Sequence, residues 1–163
     1  MVDHSLPLDD VGLPWTIRDA GEEDVIEVAR IEKASFSDPW SAGEFTAVLA
    51  SPHAIFLVAC DASDSIGGYV VMMSVLDESE VLNIAVDPSH RGKSLGAILL
   101  DKSLEEAERR GSQATFLEVR ESNEPAIRLY RSRGFEEVSR RRGYYRSPVE
   151  DALVLRRSSA LMM

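Results

Sequence analysis

The spacing of apolar residues predicts an early strand and two helices in the first part of the chain. A strand is expected near Trp15–Arg18. The segment Glu22–Ser35 carries an apolar stripe at the helical period and acidic residues in its first turn, where the helix dipole favours them. Ser41 and Glu44 form a capping box, which predicts a second, short helix that ends near Ala50.

Longer apolar runs then predict a set of strands. Ala54–Cys60 and Ile66–Leu76 are joined by turn-forming residues, and we expect them to form a hairpin. Val81–Val86 continues as the neighbour of that hairpin, and Gln113–Val119 is a further strand. These segments form the centre of a predicted sheet.

Two helices separate the later strands. The segment Ser94–Arg110 has an apolar face that is expected to pack on the sheet, and Gly111 ends it. Asn123 caps the next helix, which has Pro125 in its first turn and ends at Gly134. Both helices begin and end at residues whose chemistry suits those positions.

The remaining segments complete a single α/β domain. Phe135–Gly143 and Asp151–Arg156 are predicted as the last two strands of a mixed sheet with helices on both faces. With 163 residues the chain is long enough for one domain and short for two. We therefore expect a flexible leader at residues 1–14, one domain at 15–157 and a tail at 158–163.

Composition and charge narrow the function classes. The net charge of −10 argues against general nucleic-acid binding, yet residues 1–90 carry −14 and residues 91–163 carry +4. This asymmetry indicates that the second half binds an anion, while the first half faces a cation or only solvent. Alternatively, the charges only solvate the surface. No apolar stretch is long enough to span a bilayer and no signal peptide is apparent, so a cytoplasmic protein without a membrane partner is expected.

Metal and thiol chemistry is not indicated. Cys60 is the only cysteine, which excludes an intramolecular disulfide, and its apolar surroundings favour a buried structural thiol. His4, His53 and His90 show no metal-ligand spacing, either with one another or with Cys60. We assign no metal and no catalytic histidine.

The most informative chemistry lies in the segment Asp87–Gly96, between a strand and a long helix. A loop of small residues with two cations, followed by a helix start at Ser94, aims backbone N–H groups and a positive helix end at one point. Such a loop suits a pyrophosphate. Neither of the common ATP and NAD phosphate motifs can be read through Gly92 and Gly96.

This loop resembles the coenzyme loop of the GCN5-related N-acetyltransferase (GNAT) superfamily, which binds acetyl-CoA. The family motif is Arg or Gln, two residues, Gly, one residue, and Gly or Ala; here it is Arg91–Gly96, with Ser94 in place of the first glycine. Further segments resemble the RimI-type ribosomal-protein alanine N-acetyltransferases, although Gly143 stands where that group usually has Asn. They are Asn83–Pro88, Leu117–Arg120, Ser122–Asn123, Ala126–Ile127, Leu129–Tyr130, Gly134–Phe135, Arg141–Tyr145 and Glu150–Ala152.

The resemblance implies a GNAT fold and a coenzyme site. The fold is a mixed, mostly antiparallel sheet of about six or seven strands, with acetyl-CoA in the splay between the fourth and fifth. Serine at position 94 adds a Cβ near the phosphates but keeps the N–H groups and is a favoured helix N-cap, so binding is expected to persist. The implied acetyl-CoA residues are Ile84, Ala85, Val86, Arg91, Gly92, Lys93, Ser94, Leu95, Gly96, Ala97 and Asn123.

The same resemblance assigns two catalytic residues. Glu118 is implied as the general base, acting through water, and Tyr130 as the general acid that protonates the coenzyme A thiolate. Each has an alternative role: Glu118 as a solvated strand end, and Tyr130 as the partner of Phe135 in a Schellman cap at Gly134. For Tyr130 the two roles are compatible, because a ring can pack while its hydroxyl faces a cleft.

The acceptor implied by the resemblance is the N-terminal alanine of a small-subunit ribosomal protein. An α-amino group, with a pKa near 8 against about 10.4 for lysine, is the easier amine to deprotonate near neutrality. Pro39–Trp40 and Tyr144–Tyr145 would flank the peptide, or serve only as core and loop anchors. The alternatives are a GNAT enzyme acting on lysine, a polyamine or a small-molecule amine, and a catalytically silent acyl-CoA-binding domain.

Overall fold

The computed structural model describes residues 5–8 and 14–159, and side chains from Trp15 onward. Eight strands and four helices follow one another along the chain, with short 3₁₀ turns at Glu22–Asp24 and Pro88–His90. The strands are β1 (Ser5–Leu8), β2 (Pro14–Asp19), β3 (Ala54–Cys60), β4 (Ile66–Val75), β5 (Glu78–Val86), β6 (Ala114–Arg120), β7 (Glu136–Tyr145) and β8 (Glu150–Ser158). The helices are α1 (Val25–Ser35), α2 (Ala42–Leu49), α3 (Leu95–Arg109) and α4 (Glu124–Ser132).

All eight strands form one sheet in the order β1-β2-β3-β4-β5-β6-β8-β7. Only β5 and β6 are parallel, and every other neighbouring pair in the described chain is antiparallel. The parallel pair needs a crossover, which α3 supplies. The predicted mixed, mostly antiparallel sheet is confirmed.

Helices cover both faces of the sheet, as predicted, and each face has its own apolar core. Helices α3 and α4 pack on one face, which we call the coenzyme face, through side chains such as Leu99, Leu100 and Ile127. Helices α1 and α2 pack on the other, the acceptor face, where Ile31 and Phe45 are fully buried. The helical and strand periodicities of the sequence produce these two layers.

The pairing of β5 with both of its neighbouring strands is interrupted near the middle of the strand. On the β4 side, Val71 pairs with Asn83 while Met72 pairs with Val81, so Leu82 is an extra, bulged residue. On the β6 side, the registered pairs run from Glu78 with Ala114 only as far as Val81 with Leu117. Beyond the bulge the two parallel strands splay apart, between the fourth and fifth strands of the sequence prediction.

Most strand and helix ends differ from the prediction by one to three residues, and three differences change the description of the fold. The first helix was expected from Glu22, but the chain makes a 3₁₀ turn there and α1 begins at Val25. Within the predicted leader, Ser5–Leu8 pairs with β2 as an additional edge strand; residues 1–4 and 9–13 lie outside the described chain. At the other end, β8 extends to Ser158, one residue into the predicted tail.

Candidate active site

The splayed edge of β5 carries three of the predicted coenzyme residues. Side chains alternate along the strand, so that Ile84 and Val86 pack on the coenzyme face and Ala85 on the acceptor face. Within the described chain, β6 makes no registered pair with these three residues. Their backbone groups on that side are therefore available to pair with an extended ligand.

The loop after β5 and the start of α3 border an open cleft of about 320 Å³. The first N–H groups of a helix of 15 residues point toward its N-terminus and suit an anion. The lining brings together seven of the eleven predicted coenzyme residues, and His90 and Leu129, which were not predicted, complete it. The seven are Val86, Arg91, Gly92, Ser94, Leu95, Gly96 and Ala97. Of the other predicted residues, Ile84, Ala85, Lys93 and Asn123 do not belong to this lining.

Ser94 is the N-cap of α3, as predicted, but not for the expected reason. Its hydroxyl makes no capping hydrogen bond, and its backbone lies in the left-handed region at φ 64° and ψ 15°. That conformation suits glycine, because a Cβ disfavours it. The glycine of the family motif at this position thus matches a backbone requirement as well as close approach to a phosphate.

Two hydrogen bonds connect the region of this loop to α1. Gly92 has φ 83°, and a Cβ placed there would meet nothing within 4 Å. Arg30 of α1 reaches Asp87 at 2.5 Å, and Arg91 donates to Ser35 Oγ at 3.5 Å. The pKa of Asp87 falls to about 2, because hydrogen bonds from Arg30 and Ser89 outweigh the opposing effect of burial.

Helix α4 presents Asn123 and Tyr130 as the sequence predicts. Asn123 Oδ1 accepts from the Ala126 N–H at 3.3 Å and caps the helix. At the other end, Phe135 N–H donates to Tyr130 O at 3.1 Å around Gly134, and the two rings meet edge to face. This is the predicted Schellman arrangement. Burial, with a contribution from Tyr145, raises the pKa of Tyr130, so its hydroxyl remains protonated and able to donate.

Glu118 lies on the acceptor face, because Leu117 and Val119 on either side of it pack into the coenzyme-face core. Its carboxylate contacts Arg141 of β7 at 3.0 Å, and its side chain is 18% exposed. Tyr144 donates a hydrogen bond to Glu118, which is the main reason that the pKa of Tyr144 is raised. Glu118 is thus mostly buried and paired with Arg141, and it differs from the solvated strand end that was its alternative role.

Two residues near Glu118 were not singled out from the sequence for these contacts. Burial, followed by the charge of Glu118, raises the pKa of Glu80, whereas Arg141 lowers it. Tyr145 has a pKa raised to about 12 by burial and then by Glu118, and it also contributes to the shift of Tyr130. Tyr145 thus lies within electrostatic reach of both predicted catalytic residues.

A second cleft, of about 580 Å³, extends from Glu118 toward the β4–β5 turn. Its apolar floor includes Met73, Phe116 and Val154, and acidic residues of β5 and the turn border it. Such a surface suits an amine-bearing chain better than an anion. The full lining is Met73, Val75, Leu76, Asp77, Glu78, Ser79, Glu80, Phe116, Leu117, Glu118, Arg141 and Val154.

Three other properties concern metal binding, the membrane and the single cysteine. No group of three or more His, Cys, Asp and Glu side chains in this part of the chain is placed to hold a metal ion. None of the described helices is long and apolar enough to cross a membrane. Cys60 is buried, and burial raises the pKa of its thiol to about 11, consistent with the predicted structural role.

The chain is similar in sequence and in fold to several N-acetyltransferases. The chain is 34% identical over 142 residues to the [ribosomal protein bS18]-alanine N-acetyltransferase of Escherichia coli K12, covering 86% of this chain and 95% of that protein. It is 38% identical over 152 residues to N-alpha-acetyltransferase RimI of Mycobacterium tuberculosis H37Rv, covering 90% and 94%. The crystal structure of the E. coli ribosomal-protein-S18-alanine N-acetyltransferase superposes with a TM-score of 0.83 at 33% identity, covering 89% of this chain and 94% of that one.

A match to a family model establishes the family. The model of the acetyltransferase (GNAT) family matches residues 25–135, which include α1, the splayed strand, the coenzyme loop and α4. This family uses acetyl-CoA. The chain therefore belongs to the acetyltransferase (GNAT) family.

Proposed function

We propose that this enzyme transfers the acetyl group of acetyl-CoA directly to the N-terminal α-amine of a protein, specifically the N-terminal alanine of ribosomal protein bS18. One observation carries the proposal. A carboxylate, Glu118, follows the last registered β5–β6 pair on one face of the sheet, and a protonated phenol, Tyr130, packs in the core on the other face. The names of the E. coli and M. tuberculosis relatives support the choice of acceptor.

The coenzyme face fits acetyl-CoA, which supplies an acetyl thioester when bound. Backbone groups of Ile84, Ala85 and Val86 would pair with its pantetheine arm by strand addition, and one N–H there would polarise the thioester carbonyl. The N-terminus of α3 would hold the pyrophosphate, with charge from Arg91 and Lys93. Asn123 would contact the arm from α4.

The two catalytic side chains divide the proton transfers. Glu118 would accept a proton from the acceptor ammonium, through water, to give a neutral nucleophile. Tyr130 would donate its proton to the departing sulfur, and burial keeps it protonated for that step. Tyr144–Tyr145 and Pro39–Trp40 would flank the peptide. A ribosomal protein would be met in the cytoplasm, the location expected from the sequence.

The acidic border of the second cleft favours one alternative acceptor, a polyamine. Asp77, Glu78 and Glu80 all contribute to the lining near Glu118. A flexible polycation such as spermine would gain from this negative charge without any contact to a peptide backbone. The alternative is therefore tested beside the main proposal.

The test is acetyl transfer by the purified protein to hexapeptides that begin with alanine and contain an internal lysine. The matched control is the same peptide with its N-terminal amine already acetylated, and spermine forms the third arm. Coenzyme A release gives the rate, and mass spectrometry locates the acetyl group. We expect modification of the α-amine alone. Turnover with spermine or the internal lysine, and none at the α-amine, contradicts the proposal. Acetyl-CoA binding without any turnover would indicate a silent binding domain.

A further inference from the structure

A buried carboxylate on the acceptor face has no place in the chemistry described above. Glu32 lies on the inner side of α1, beside the apolar residues Val28 and Ile31, and is only 1% exposed. A carboxylate at such a position is costly unless hydrogen bonds replace its water. The hydrogen-bond partners of Glu32 therefore indicate why a carboxylate is found on the buried face of α1.

Three donors from three different parts of the chain converge on Glu32. The Tyr69 hydroxyl donates to Oε1, Asn83 Nδ2 lies 2.9 Å from both carboxylate oxygens, and the backbone N–H of Trp40 donates to Oε2 at 2.8 Å. All three donors are neutral groups. Burial, and then the charge of Glu32, raise the pKa of Tyr69, so this phenol stays a donor.

Two of these donors belong to segments that have a part in the proposed function. Trp40 lies in the loop between α1 and α2, and its ring packs 5.3 Å from that of Phe45. Asn83 follows the bulged Leu82, where β5 separates from β6. The carboxylate therefore joins the loop that would border the peptide to the strand that would present the thioester.

We propose that Glu32 is a positioning residue for the acceptor amine, which fixes the α1–α2 loop against the β5 bulge. The inference rests on the proposed function for the identity of the acceptor, but not for the contacts themselves. Glu32 touches none of the reacting groups. Its effect is transmitted through the Trp40 backbone, whose position determines where the loop wall stands relative to the open strand.

The substitution Glu32→Gln tests this role because it keeps the shape and changes the hydrogen bonding. An amide offers one acceptor oxygen and an NH₂ donor, so it cannot accept from Trp40, Asn83 and Tyr69 together. We expect the KM for the alanine peptide to rise about 10-fold, while the KM for acetyl-CoA stays within about 2-fold. Tyr69→Phe is the matched control: it removes one buried donor and leaves the bonds to the loop and the bulge, so both KM values should stay near wild type.

A second readout does not depend on the acceptor. Trp15 and Trp40 are the two tryptophans of the chain, so in a Trp15→Phe background the emission reports on the loop alone. Glu32→Gln should increase acrylamide quenching of this emission, and Tyr69→Phe should not. Should Glu32→Gln fail to fold, Asn83→Ala cuts the same link at a half-buried site and is expected to give the same split in KM.

Two outcomes overturn the inference: unchanged quenching in folded Glu32→Gln, or KM values for both substrates that rise in parallel. Failure of the proposed function is distinguishable from these. If the wild-type enzyme acetylates spermine or lysine instead of the α-amine, the proposed acceptor is wrong, and the KM comparison is made with that amine. The quenching result retains its meaning in either case.

Discussion

The two faces of the sheet offer a ligand different kinds of chemical groups. On the coenzyme face the available groups are largely backbone: the unpaired edge of β5 and the first turn of α3. On the acceptor face they are side chains held by long-range contacts, such as Glu118 with Arg141 and Glu32 with Asn83. A site made of backbone groups would tolerate a change of side chain, because the N–H groups remain. This would explain why serine can replace the motif glycine at position 94. A side-chain site depends on each residue.

The largest effect is expected for Glu118→Gln on the acceptor face. Loss of the proposed base should lower kcat/KM for the peptide by about 10²- to 10⁴-fold. Binding of acetyl-CoA, measured by calorimetry, should be unchanged because the proposed coenzyme contacts are backbone groups of β5 and of the start of α3. Turnover equal to wild type would remove Glu118 from the mechanism.

Tyr130→Phe separates packing from acid catalysis. The ring keeps its contact with Phe135 and the Schellman cap, so the midpoint of thermal unfolding should stay within a few degrees of wild type. The missing proton should lower kcat by about 10²-fold. A kcat equal to that of the wild-type enzyme would leave Tyr130 with its structural role alone.

On the coenzyme face, Gly96→Leu should weaken binding without harming the fold. The family motif accepts alanine at this position, and a Cβ there would lie 3.7 Å from Val86 Cγ2 and 3.9 Å from Leu129 Cδ2, which are ordinary contacts. The rest of a leucine side chain would extend into the cleft at the start of α3. Leucine is favoured over glycine in a helix by up to about 1 kcal/mol. We expect the Kd for acetyl-CoA to rise about 10-fold and the stability not to fall.

The matched control for this change is Gly43→Leu in α2. Its Cβ would meet only Ser41 Oγ, at 3.7 Å, far from the loop at the start of α3 in the chain. Denaturant unfolding should show a comparable gain in stability, with the Kd for acetyl-CoA unchanged. Equal Kd values for the two variants would show that Gly96 does not face the coenzyme.

The ion pair between Arg30 of α1 and Asp87 at the end of β5 can be tested through the pH dependence of stability. The folded pKa of Asp87, about 2, lies below its ordinary value of 3.8, so its contribution is present above about pH 4 and is lost as the pH falls toward 2. Arg30→Gln should lower the free energy of unfolding near pH 7 by about 1 kcal/mol and reduce its loss in acid. Urea unfolding between pH 2 and 7 measures both, and parallel curves for the two proteins would contradict the assignment.

The smallest effect is expected for Ser94→Gly. Relief of the left-handed serine, about 1–2 kcal/mol, is offset by about 0.5–1 kcal/mol of additional chain entropy. Stability should therefore change little, and acetyl-CoA should bind as well as before or slightly better. A Kd increased more than about 3-fold would show that the serine hydroxyl contributes to the site.

Local chemistry made parts of the site predictable from sequence. The cap at Asn123 and the Tyr130–Phe135 contact depend on residues a few positions apart, and both predictions are confirmed. The contacts of Glu118 could not be predicted in the same way. Arg141 reaches it from another strand, and that pairing depends on the register of three strands in the folded sheet.

Backbone geometry was the other part that the sequence did not disclose. Leu82 reads as an ordinary apolar strand residue, and its bulge appears only once β4 and β5 are paired. Ser94 is a common capping residue, and neither its left-handed backbone nor its idle hydroxyl follows from its identity. Similarly, Glu32 lies within a helical stripe, where its role depends on donors 8, 37 and 51 residues away in the chain.

The short parallel pairing between β5 and β6 also affects the energetics of the domain. Only four registered residue pairs between β5 and β6 join the part of the sheet formed by β1–β5 to the part formed by β6, β8 and β7. A ligand that pairs along the open stretch would bridge the two halves of the sheet and would raise the unfolding free energy by about 2.7 kcal/mol at a concentration 100 times its Kd. Amide hydrogen exchange in β6 and β8 would slow as the stretch fills, so that the coenzyme would act as part of the sheet.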